Sequence, residues 1–70
     1  MNDINENIKS IVKYVKEIVD IDCTCEYVNI PEEDGSFYKV TIPSEYQLFK
    51  RSIALDLIDR FSELNIVCTI

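Results

Sequence analysis

Apolar residues recur every three or four positions over residues 4–20, at Ile4, Ile8, Ile11, Val12, Val15, Ile18 and Val19. That spacing gathers them on one stripe and predicts an amphipathic helix, with Lys9, Lys13 and Lys16 on the opposite side. Asp3 or Asn2 is placed to cap its start. Residues 23–30 and 36–42 alternate instead, Tyr38, Val40 and Ile42 against Phe37, Lys39 and Thr41, and predict two strands of a hairpin. The segment between them is Pro31-Glu32-Glu33-Asp34-Gly35-Ser36. A two-residue Asp-Gly turn would set Val40 opposite Asn29. A three-residue loop, Glu33-Asp34-Gly35 with Gly35 left-handed, sets Val28 opposite Val40 and Ile30 opposite Tyr38. The second register collects apolar side chains on one face and is the one expected, at the cost of Glu26 opposite Ile42.

Helical spacing returns over residues 44–64. Tyr46, Phe49, Ile53, Leu57, Phe61 and Leu64 form the predicted buried stripe, widened by Ala54 and Ile58. Ser44-Glu45-Tyr46-Gln47 has the capping-box form, and Pro43 ends strand pairing just before it. Leu48 and Leu55, seven apart, fall on the far side, beside an acidic band of Glu45, Asp56, Asp59 and Glu63. Residues 66–70 read as a last short strand, parallel to residues 36–42. The order is therefore α-β-β-α-β. The expected fold class is α+β, two helices packed on one face of a three-stranded sheet, in a single domain spanning residues 1–70.

Composition narrows the function. The chain has 70 residues, 13 acids against 7 bases and a net charge of −6. Acidity of that degree disfavours sequence-independent nucleic-acid binding and anionic membrane surfaces, and favours a basic partner. There is no histidine, which removes the usual general base and the commonest metal ligand. Three cysteines, Cys23, Cys25 and Cys68, leave at least one unpaired within the chain. Zinc would need a fourth ligand from elsewhere, so buried or half-buried free thiols are expected. The N-terminus lacks the basic start and apolar run of a signal peptide, and no stretch approaches the ~18 apolar residues of a membrane span. With free thiols, this predicts a cytoplasmic protein.

Two surfaces carry the functional expectation. With Val28, Ile30, Tyr38, Val40 and Ile42 under the helices, the open sheet face would carry Cys25, Tyr27, Asn29, Phe37, Lys39, Thr41, Val67 and Thr69. Tyr27, Asn29, Phe37, Lys39 and Thr41 are the expected partner-binding residues, since aromatic side chains are enriched at interfaces. The second surface is acidic. No basic residue lies between Lys16 and Lys39. Asp20, Asp22, Glu32, Glu33 and Asp34 fall there and predict a patch drawn together from the helix end and the hairpin tip. The expected function is a small, acidic, non-enzymatic protein-interaction module without cofactor. It would be an inhibitor or regulator, for example from a mobile element, of a basic nucleic-acid-binding partner, or would self-associate as a homodimer through the open face. The alternative is a nucleic-acid-binding module that stacks bases on the same rings, a reading weakened by the single lysine there.

Overall fold

The computed structural model describes residues 3–33 and 35–70 of the chain. The fold is α+β, with the element order α-β-β-α-β and both helices on the sheet. Helix α1 spans Ile4–Tyr14 and continues as a π-helical turn over Val15–Val19. Strands β1 (Thr24–Ile30) and β2 (Gly35–Thr41) flank a 3-10 turn at Pro31–Glu33. A second 3-10 turn, Ser44–Phe49, leads into helix α2 (Lys50–Arg60), and strand β3 (Ile66–Thr69) follows. The sheet order is β1-β2-β3, with β1 antiparallel and β3 parallel to the central β2.

The core is a single layer between helices and sheet. Ile11 and Val15 from the first helical segment, Ile21, Ile53 and Leu57 of α2, and Ile66 of β3 close over Tyr38 and Val40 of β2 and Ile42 just beyond it. Asn7 Nδ2 donates to the Tyr38 hydroxyl at 2.9 Å, so the one polar tip of that layer is satisfied by α1 itself.

The first helix begins as expected, with Asp3 accepting from the Asn5 N–H at 2.9 Å. Its apolar stripe changes phase in the last turn. A π turn takes more residues per revolution than an α turn, so Ile18 swings to solvent at 66% exposure while Ile21 enters the core. The helix ends on Asp20, left-handed at φ 60°, whose N–H reaches the Val15 carbonyl.

The second helix departs further from its sequence pattern. No capping box forms at Ser44: Pro43 stands at the cap position and its carbonyl accepts from the Tyr46 N–H at 3.0 Å. Because residues 44–49 wind with three residues per turn, the 3.6-residue phasing does not extend back to Phe49, which is 57% exposed. Ile58, expected in the stripe, is half in solvent, and α2 stops at Arg60 rather than at residue 64. Leu48 and Leu55 do lie on the outer side.

The hairpin register is the main correction. The pairs are Cys25 with Val40, Tyr27 with Tyr38, Val28 with Phe37 and Ile30 with Gly35. The expected register would have carried the ladder across Pro31, which has no N–H to donate. Pairing instead stops at Ile30, Pro31 opens the 3-10 turn, and Gly35 begins β2 opposite Ile30. The slip is three residues, an odd number, so every β1 side chain changes face. Glu26, expected opposite Ile42, now sits opposite Lys39.

Two expectations test this packing. Leu57→Ala should cost about 2–5 kcal/mol, whereas Leu55→Ala should change stability by about 0.5 kcal/mol or less, as read from urea midpoints. Asp20→Gly should stabilise the fold by up to about 1 kcal/mol, because glycine tolerates the left-handed conformation and no longer opposes the helix dipole. A lower melting temperature for Asp20→Gly would contradict that account.

Candidate interaction surface

The side of the sheet away from the helices carries Thr24, Glu26, Val28 and Ile30 from β1, Phe37, Lys39 and Thr41 from β2, and Val67 and Thr69 from β3. These residues alternate with those that pair over the core. Phe37 and Val28 are directly opposed, and both are half-buried. Lys39 stands between Glu26 and Val67 in register, and its ammonium lies 2.8 Å from the Glu26 carboxylate. Val67 is 47% exposed. The surface is thus an apolar patch, Val28, Ile30, Phe37 and Val67, with one internal ion pair and a threonine margin.

Of the residues expected here, Phe37, Lys39, Thr41, Val67 and Thr69 are present. Tyr27, Asn29 and Cys25 are not: the register places them on the helix-bearing face. Tyr27 tilts against Tyr38, ring centroids 5.1 Å apart, and keeps an outer edge in solvent. Val28, Ile30, Glu26 and Thr24 take their places. Pro31 is the signal that would have located them, because a residue unable to donate marks the end of the ladder.

Asp20 and Asp22 lie apart from Glu32. Asp20 and Asp22 precede β1 and Glu32 follows it, and a seven-residue strand separates its ends by about 20 Å. Lys16 lies 3.7 Å from the Asp20 carboxylate and 3.3 Å from that of Asp22. The Asp22 contact, reinforced by Asp20, holds the lysine ammonium above its ordinary pKa. These acids are therefore partly neutralised at the helix end. Glu32 is exposed at the hairpin turn. Asp34 and the Glu33 side chain lie outside the described residues, so their part of the expected patch is not described.

The three thiols share the helix-bearing side, each half-buried against the core. Cys25 and Cys68 flank Val40 in the sheet register. Burial raises the pKa of all three. Cys25, with Cys23 and Glu26 also repelling its thiolate, is pushed up to about 11. For Cys23 the nearness of Cys68 adds to burial, while for Cys68 the charge of Lys50 partly offsets it. Protonated, half-buried thiols are poor nucleophiles and poor metal ligands. Among the described residues, no group of three or more Cys, Asp or Glu is arranged to hold a metal ion. No helix there is long and apolar enough to cross a membrane.

Comparison with protein-family models, with curated proteins and with solved structures finds no match to this chain. The reading of the surface therefore rests on its own residues.

The thiols set a pH dependence. An unfolded cysteine ionises near 9, whereas folded Cys25 retains its proton to about 11. The stability contributed by this protonation is complete below about pH 9 and is lost as pH rises toward about 11. In reducing buffer, the urea midpoint should fall over that interval, and fall less in Cys25→Val. An equal fall in both proteins would show that other groups carry the effect.

Proposed function

We propose that this chain is a small, acidic, non-enzymatic protein-interaction module whose open sheet face receives a basic protein partner, which it inhibits or regulates. The observation that carries the reading is the apolar patch of half-buried Val28, Ile30 and Phe37 with exposed Val67, on the side of the sheet away from the helices. Both helices pack on the opposite face, and among the described residues no other element covers these side chains. Apolar side chains gathered on one open face are a common feature of contact sites.

The partner's charge follows from the chain's own. A net charge of −6 attracts cationic surfaces over long range and repels nucleic acid. Proteins that bind nucleic acid present such surfaces, which makes one of them the natural target of an acidic inhibitor. The exposed Glu32 at the hairpin tip would lead the approach. Base stacking on the same face finds less support. Its only basic side chain there, Lys39, is engaged by Glu26, and Tyr27 lies on the other side of the sheet. The absence of histidine and the protonated thiols support a role without catalysis. Reduced thiols also suit the cytoplasm.

The test is differential affinity capture from the source cell. Wild type and the double variant Val28→Ser with Phe37→Ser are compared at equal folded content. A protein retained by the first and lost by the second is the expected outcome. Recovery of the same proteins by both would refute the assignment of this face. Labelled single-stranded RNA should show no saturable binding at low salt, and binding that weakens steeply as salt is added would favour base stacking instead.

A further inference from the structure

Helix α2 leaves a second surface uncovered, on its outer side. Leu48 is 93% exposed, Leu55 58% and Ile58 48%. With 3.6 residues per turn, positions four apart line up as one inclined ridge on a helix. Arg51, Leu55 and Asp59 form such a ridge, all three exposed, while α2 buries Ile53 and Leu57 on its inner side. Neither Arg51 nor Asp59 forms an ion pair among the described residues. Eight residues of helix hold them about 12 Å apart along the axis, beyond the usual reach of an intrahelical pair.

Read along the helix, the ridge is cation, leucine, anion, with Leu55 equidistant from the two charges. Such a ridge is its own complement. Laid antiparallel on a second copy about a two-fold axis through Leu55, Arg51 of each chain meets Asp59 of the other, and the leucines meet at the centre. Ile58 then faces Ser52 across the axis, and no like charges are opposed along the ridge of Arg51, Leu55 and Asp59. A uniformly basic partner would bring a cation against Arg51, and a uniformly acidic one an anion against Asp59. The ridge has no net charge on a chain that carries −6. A second copy is the occupant that satisfies both ends.

We propose that the chain forms a two-fold dimer through the outer ridge of α2, with reciprocal Arg51–Asp59 ion pairs around a Leu55 contact. The dimer leaves the open sheet face free and does not depend on the function proposed for that face. An eleven-residue helix is about 16 Å long, so the contact is small and the dimer weak, dissociating between about 10 μM and 1 mM.

Sedimentation equilibrium of the full chain in reducing buffer at about 0.15 M salt reads the dimer directly. Leu55→Asp, at an exposed position, should retain the wild-type circular dichroism and sediment as a monomer. Arg51→Asp alone should weaken the dimer at least about tenfold, because it sets acid against acid twice. Combining Arg51→Asp with Asp59→Arg rewrites the ridge as anion, leucine, cation and should restore the wild-type constant to within about threefold. Phe37→Ser should leave it unchanged. A wild-type monomer at every concentration to about 1 mM overturns the proposal. So does a dimer indifferent to Leu55→Asp, a charge exchange that fails to restore association, or a dimer lost through Phe37→Ser.

Discussion

Burial of one side of the central strand holds this domain together. Tyr38, Val40 and Ile42 alternate along β2 and the residue after it, and each is almost fully removed from water. Both helices and both neighbouring strands are placed by covering those three residues. The π-helical end of the first helix brings Ile21 over them, α2 contributes Ile53 and Leu57, and β3 contributes Ile66. A chain this short has little apolar surface to spare, so the core is one layer deep. The helix dispositions, the position of β3 and the orientation of the three thiols all follow from it.

A one-layer core has a consequence for the surface. The alternation that buries Tyr38, Val40 and Ile42 sends Phe37, Lys39 and Thr41 to the other side, where no element among the described residues packs over them. The same economy acts on α2, whose inner ridge is committed to the core and whose outer ridge carries Leu55 into solvent. The molecule thus presents two uncovered apolar surfaces of different character. The sheet face is broad, holds one internal ion pair and sits in a field set by the chain's overall acidity. The α2 ridge is narrow, electrically balanced and symmetric about one leucine.

Charge is arranged more locally than its total suggests. Lys16 draws Asp20 and Asp22 together at the end of the first helix, and Lys39 engages Glu26 across the hairpin. Exposed pairs of this kind add little stability. Their effect is on the map of potential, since they quench the acids nearest the sheet and helix end and leave the hairpin tip as a separate acidic point. The thiols are likewise a packing feature, three small half-buried side chains packed against the core on the helix-bearing side.

The sequence by itself determined the element order, the fold class and the inner face of β2, because each rests on local periodicity: 3.6 for Ile11 and Val15, two for Tyr38, Val40 and Ile42. It also determined that Leu48 and Leu55 lie outside. What only the tertiary structure decided was phase between elements. The face presented by β1 turned on where the ladder ended, at Ile30 before Pro31, and a slip of three residues exchanged Tyr27 for Val28 on the open side. Ile18 and Phe49 moved to solvent because π and 3-10 turns alter the rotation that a uniform helical repeat assumes, whereas Ile58 sits at the edge of the regular α2 stripe and is half exposed. Alternation within a strand is local chemistry, but its register against a neighbour is a competition between backbone pairings, settled by a proline's missing donor and by the cross-strand contacts of Glu26 with Lys39 and Tyr27 with Tyr38.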